Sequence, residues 1–465
     1  MIYAIFFLSG ISGLMFQHIW FRQAGLVFGN SVWATSLVLS SFMAGLALGN
    51  ALAAARPTLK RSALQRYAAL EAIVAITGLG LVFLLPMLGE GLVPGLVQAV
   101  GDGPALGVVR FCLAFALLVI PTAAMGMTLP VLVGRTSSPE RFGTTLGQLY
   151  GWNTLGAVAG ALAGETLFYS WMGIRGTAYV AASVNLVAAS LSLLLARTEG
   201  PPAPIVPDTP SARWTGDETR LLIVAALAGG SLLALEVIWT RFLLLFLFGT
   251  ALSFAIMLAL TLAGVALGSL IAARVPKLCA SPSAIAVLGM LASIAVIGSY
   301  TTFGDVLRIN LPGIPWMHWT RVVILTSALV FPTSMISGAF FTSVGTALSR
   351  TRQASQATGL LTLANTIGAM VGAMVAGFLL LPRLGMEGAF WLIAATYFLA
   401  VVVSPGFGTL LRRDRWVTGL AILSLAFVLL FPSGLMNGTY LRGALRPFTV
   451  GTTPAKISGF REGLT

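Results

Sequence analysis

Thirteen stretches of the sequence are apolar over about the length at which a helix crosses a bilayer, near 2–28, 32–55, 67–88, 108–134, 144–170, 177–196, 221–248, 250–273, 283–302, 321–347, 357–381, 389–404 and 416–431. About 20 apolar residues span the hydrocarbon core as a helix, and no lipid-exposed backbone group can go unpaired there. A chain carrying such runs therefore folds as a bundle of transmembrane helices with the lipid bilayer as its first partner. Composition agrees: 57% of the 465 residues are hydrophobic and 9% are charged, against about 25% charged in a soluble domain. That excludes a soluble enzyme and a disordered chain. Cys112 and Cys279, like His18 and His318, lie far apart with no partner at ligand spacing, so no metal site, disulfide framework or other cofactor is expected. The net charge of +13 sits in short clusters between apolar runs, which speaks against nucleic acid as a partner.

Those clusters orient the chain. One alternating set of loops carries Arg56, Lys60, Arg61 and Arg66, then Arg135 and Arg141, then Arg197, Arg213 and Arg220, and later Arg274, Lys277, Arg350, Arg352, Arg412, Arg413 and Arg415. The opposite set has Arg175, Arg308 and Arg383 with Glu90, Asp102 and Asp305. The positive-inside rule puts the first set and the N-terminus in the cytoplasm, and thirteen crossings put the tail outside. The opening Met1-Ile2-Tyr3-Ala4 has no basic n-region and reads as a retained first helix. The stretch 197–220, rich in Pro and charge, reads as a cytoplasmic linker. The expected organisation is thus a first six-helix half (1–196), the linker, a second six-helix half (221–404), an extra helix (405–431) and a tail (432–465).

The two halves resemble each other. Ile19-Trp20-Phe21-Arg22 matches Ile238-Trp239-Thr240-Arg241, and Ala44-Gly45-Leu46-Ala47-Leu48-Gly49 matches Ala263-Gly264-Val265-Ala266-Leu267-Gly268. Further along, Arg110, Pro121 and Thr122 correspond to Arg321, Pro332 and Thr333. Asn153-Thr154-Leu155-Gly156 with Gly160 corresponds to Asn365-Thr366-Ile367-Gly368 with Gly372, and Gly173 and Gly176 to Gly385 and Gly388. Six helices per half is an even number, so both halves enter from one side. The implied fold is an all-α polytopic, major-facilitator-like bundle of two parallel repeats plus an extra C-terminal helix. The Gly-xxx-Gly pairs read as close helix packing.

The run Phe7-Leu8-Ser9-Gly10-Ile11-Ser12-Gly13, then Ile19-Trp20-Phe21-Arg22, then Met43-Ala44-Gly45-Leu46-Ala47-Leu48-Gly49 resembles the membrane half of bacterial membrane-bound spermidine synthase-like proteins. There a major-facilitator-like module precedes a polyamine aminopropyltransferase domain. The last residues, Phe460-Arg461-Glu462-Gly463-Leu464-Thr465, resemble the strand that opens that domain in fused members. The resemblance implies a bacterial cytoplasmic membrane and a link to polyamines. No catalytic residue maps onto this chain: Gly101-Asp102-Gly103 has no preceding strand, and Gln17 stands where an acid matching Glu236 is expected. The loop holding Arg56, Lys60 and Arg61 also lacks the Asp usual in major-facilitator transporters.

Ionisable residues inside spans are costly and face the bundle interior. Glu236 falls in the outer part of its helix, Gln17 and His18 at the matching place in the first half, and Arg110, Arg321 and Glu165 at a similar depth. Shared depth suggests the pairs Glu165–Arg110 and Glu236–Arg321. In an open cavity, a carboxylate could instead bind a cationic amine or relay a proton. Trp20, Trp239, Arg22 and Arg241 read as an interfacial belt with snorkelling guanidiniums, and Glu71 as a clamp on the loop of Arg56 and Lys60. Asn153 and Asn365, with Tyr150 and Thr362 three residues earlier, could line a central cavity or hold helices together. Three functions follow as expectations: a module that binds or transports a small, polyamine-type cation, the membrane part of a fused aminopropyltransferase, or a scaffold that holds a protein partner through its outer loops (89–107 and 303–320) and tail.

Overall fold

The computed structural model describes residues 1–28, 32–55, 63–91, 104–135, 139–198, 214–279, 283–309 and 318–440, with a few single positions between them. Arg56, Lys60, Arg61, most of the linker, Gly101-Asp102-Gly103 beyond its first residue, 310–317 of the outer loops and the segment 460–465 lie outside the described residues. Among the described residues every element is helical, because a chain crossing lipid must satisfy its backbone within each span.

The first set of helices is α1 (Ile2–Phe28), α2 (Val32–Ala55), α3 (Ala63–Gly91), α4 (Pro104–Val133), α5 (Pro139–Ala163) and α6 (Tyr169–Thr198). The second is α7 (Gly216–Leu243), α8 (Ala251–Arg274), α9 (Ala284–Arg308), α10 (Trp319–Leu348), α11 (Ala354–Val375) and α12 (Leu381–Val403). A short α13 (Phe407–Arg413) leads into α14 (Arg415–Leu429). Among the described residues ten continuous stretches are long and apolar enough to cross a membrane, and two of them, Glu140–Thr198 and Ala354–Val403, each hold two helices. The protein is a multi-pass membrane protein. The apolar run at 389–404 is the last part of a helix that begins at Leu381, because Arg383, Gly385 and Glu387 dilute its first turns.

Both double stretches are joined in the same way. Single π-helical turns, Gly164–Phe168 and Ala376–Leu380, end α5 and α11. A few residues later Gly173 (φ 64°) and Gly385 (φ 67°) reverse the chain direction in a left-handed conformation that a Cβ disfavours. The repeated glycines of the sequence are thus the corners of two equivalent turns.

Helix pairs inside each half pack through small residues. A Cβ on Gly49 of α2 would overlap the backbone of Ala123 in α4, and one on Gly268 of α8 would overlap the backbone of Met335 in α10. Lipid supplies no hydrophobic force between helices, so such close approach is where their association energy arises.

Consecutive helices alternate in direction, which gives the bundle two ends: a base where α1 begins, and a mouth where it finishes. At the base the halves are joined. One hydrophobic cluster runs through the first half and continues into Leu221, Val224, Phe341, Val344, Leu348, Ala357 and Leu361 of the second. Tyr150 stacks on Phe341 with ring centroids 4.5 Å apart. The Thr362 hydroxyl donates to Asn50 Oδ1 at 2.8 Å. At the mouth the second half has a separate core, built around Phe242, Tyr300, Phe303, Phe390 and Tyr440. Between the halves on that side lies a cavity.

Candidate functional site

The cavity has a volume of about 600 Å³ and is walled by both halves. On α1, Met15, His18, Ile19 and Arg22 face it at the i, i+3, i+4, i+7 spacing of one helical face. On α7, Glu236, Trp239 and Thr240 do the same, and α8 adds Ala251, Phe254, Ala255, Leu258 and Thr261. The π-helical turn after α5 contributes Gly164 and Glu165, and α6 contributes Tyr169 and Thr177. The walls are mainly apolar, with four ionisable side chains set into them.

Two of the four are paired. Arg22 Nη1 lies 3.5 Å from Glu165 Oε2, with the two side chains 42% and 20% exposed. The guanidinium also lies over the Tyr169 ring, 3.9 Å from its centroid. The other two are unpaired: among the described residues no hydrogen bond or salt bridge reaches His18 or Glu236. His18 is one helical turn from Arg22, on the first-half wall, and Glu236 is on the second-half wall.

This corrects several expectations. The partner of Glu165 is Arg22 rather than Arg110, because α5 packs on α1 and the turn at its end presents Glu165 to that helix. Glu236 has no partner in Arg321. Arg321 is buried in α10, Arg110 is half-buried in α4, and neither lines the cavity. Common depth had suggested those pairs, but depth leaves open which way a residue faces around its helix. Gln17 is half-buried in α1, beside the cavity-facing residues but outside their face.

Trp20 and Trp239 form no interfacial belt, for both are buried. The Trp20 indole donates to the Gly78 carbonyl at 3.1 Å and stacks on Phe16, while Trp239 walls the cavity. Arg22, expected to snorkel, has Glu165 and Tyr169 as its protein partners. Glu71, expected as a loop clamp, is buried well inside α3 and accepts a hydrogen bond of 2.6 Å from Ser9 of α1. Asn153, Asn365 and Tyr150 do not line the cavity. The backbone of Asn153 packs on Gly10 of α1, Asn365 packs on Gly229 of α7, and Tyr150 belongs to the base. All three thus sit at contacts between helices.

A different ion pair, absent from the expectations, ties the base of the second half. Arg352, between α10 and α11, donates from Nε and Nη2 to both carboxylate oxygens of Glu218 in the first turn of α7, at 2.7 and 3.0 Å. The side chains are 4% and 2% exposed. Glu218 raises the Arg352 guanidinium above its already high range. The same glutamate closes a capping box with Thr215, and the Arg352 guanidinium lies over Trp214. Thr215-Gly216-Asp217-Glu218 is the Thr-x-x-Glu spacing of such a box, a signal legible at the end of the linker.

Solved structures share this architecture. A variant of the E. coli fucose:proton symporter FucP is 14% identical, with 86% of this chain covering 96% of that one at a TM-score of 0.55. FucP in the outward conformation aligns with the same coverage and identity at a TM-score of 0.57. A bacterial homologue of the iron transporter ferroportin, in its outward-facing state with soaked iron, is 14% identical, with coverages of 88% and 98% and a TM-score of 0.59. The fold is the major-facilitator fold. No protein-family model and no characterised relative matches the sequence.

Proposed function

We propose that this protein is a solute carrier that works by alternating access, and that it binds a small organic cation at Glu236. The observation that carries the reading is a carboxylate facing a cavity between two halves, with no partner among the described residues. The halves meet at the base and part at the mouth, which is the arrangement of a carrier open on one side. With the basic loops in the cytoplasm, the open side is the outer one, and the N-terminus is cytoplasmic. An ammonium about 4 Å from Glu236 gains about 4 kcal/mol of Coulomb energy at an effective dielectric constant of about 20, part of it offset by the water it loses.

The charge of the site narrows the solute. Arg22 and Glu165 cancel, and with His18 neutral Glu236 leaves one negative charge, set among Met15, Ile19, Phe254, Met257 and Leu258. That favours one ammonium group on an apolar body. The resemblance to spermidine synthase-like proteins makes polyamines the natural comparison, but their further ammonium groups would find no free carboxylate among the described lining residues. Uptake of a quaternary ammonium such as tetraethylammonium into proteoliposomes tests the reading. Glu236→Gln should lower uptake about tenfold or more, since a lost ion pair of about 1.4 kcal/mol already gives that factor. Uptake unchanged by Glu236→Gln and by Glu165→Gln would overturn it.

A further inference from the structure

We propose that His18 is the proton site that exchanges against the solute, so that the carrier moves one cation one way for one proton the other. The proposal rests on the reading of Glu236 as the cation site and adds its coupling ion. Four ionisable side chains line the cavity: Glu165 from the turn after α5, His18 and Arg22 from α1, and Glu236 from α7. Among the described residues Tyr169 is the remaining titratable group on its walls, and α8 and α10 bring none.

Arg22 and Glu165 form a neutral pair, so the empty cavity holds one uncompensated negative charge when His18 is neutral. Closing the mouth removes water from that charge, and an unpaired ion in a closed low-dielectric site is strongly disfavoured. With Glu236 ionised and the Arg22–Glu165 pair kept, two additions make the site neutral. One is a solute cation on Glu236. The other is a proton on His18, whose ring has no hydrogen-bond partner among the described residues and whose type titrates near neutral pH. Both together leave the site positive, and neither leaves it negative. The two loaded forms are therefore alternatives, each able to close, which is the condition for exchange. His18 and Glu236 also stand on opposite halves, so closure brings the imidazolium and the carboxylate toward each other across the interface that has to form.

The test uses purified full-length protein in proteoliposomes with tetraethylammonium, which carries a fixed charge and no exchangeable proton. Wild type should accumulate it against its gradient when the lumen is acidic, and should also exchange labelled for unlabelled cation with no pH gradient. His18→Gln should lose pH-driven accumulation by about tenfold or more relative to its own cation exchange without a pH gradient, a change equivalent to about 1.4 kcal/mol. His18→Arg, with a fixed positive charge, should weaken tetraethylammonium binding about tenfold and remove its pH dependence. In wild type, binding should strengthen as pH rises through the imidazole range, because the proton that competes with the solute leaves. Accumulation that stays pH-driven in His18→Gln would overturn the assignment and place the proton on Glu236. Failure of wild type to exchange cation at all would instead refute the proposed function and not this site alone.

Discussion

Replacing Glu218 by Gln separates the energetics of the base from those of the cavity. Glu218 accepts two hydrogen bonds from Arg352 in an environment that excludes water from both side chains. Gln keeps the shape and can still complete the capping box with Thr215, but it leaves the guanidinium buried without a counter-charge. Removing one partner of a buried pair costs about 3–5 kcal/mol. The pair sits in the first turn of α7, near the end of the bundle, so the lower figure applies. A loss of about 3 kcal/mol changes the unfolding equilibrium about 150-fold. The assay is unfolding in bicelles by increasing detergent denaturant, followed by a thiol-reactive fluorophore on buried Cys279 after exposed Cys112 is changed to Ser. Arg352→Met should cost a similar amount, and Glu218→Gln with Arg352→Met should cost less than the two single changes summed, since neither charge is then stranded. A Glu218→Gln protein within about 0.5 kcal/mol of wild type would refute the reasoning, because that is the behaviour of a solvated surface bridge.

Other outcomes follow from the same contacts. Thr215→Ala removes only the cap and should cost about 1 kcal/mol in the same unfolding assay. Gly268→Val should separate α8 from α10, because its side chain meets Met335 backbone that cannot give way; loss of a monodisperse peak in size-exclusion chromatography would register it. Thr362→Val deletes a hydrogen bond between the halves at the base and should shift the protein toward opening there by about 0.6 kcal/mol, roughly threefold, measured as labelling of an introduced base-facing cysteine. Tyr440→Ala should destabilise the second half by about 3 kcal/mol. Tyr440 is buried among Phe242, Tyr300 and Phe303, in the segment whose Gly434 and Met436 amides donate to Glu387.

Much of the fold is legible in the sequence because the bilayer makes it so. Each span must be a long apolar helix, and the paired glycines at Gly173 and Gly385 or Gly49 and Gly268 mark places that only a close approach or a left-handed turn requires. The site is legible only in part. Charged residues inside spans single out Glu236, Glu165 and His18, and all three line the cavity. Their partners are not legible, since position along a helix gives depth while pairing needs the direction a residue faces. Arg22 shows this. Its place near a helix end suggests the headgroups, yet packing of α1 on α5 turns it toward Glu165. Trp20 and Trp239 look interfacial for the same reason and prove to be buried. Glu71 misleads because the start of its apolar run falls several residues inside the helix that forms.

The most direct measurement is of distance across both ends of the bundle in liposomes, by pulsed electron–electron resonance between spin labels in a background without Cys112 and Cys279. One pair, at Arg141 and Arg274, reports the base, and another, at Leu167 and Leu252, reports the mouth. A carrier that alternates should show two populations at each pair, with the base lengthening as the mouth shortens, and their ratio should respond to tetraethylammonium in wild type but not in Glu236→Gln. A single distance at each end, unchanged by cation and pH, would contradict alternating access and leave a rigid membrane scaffold in its place.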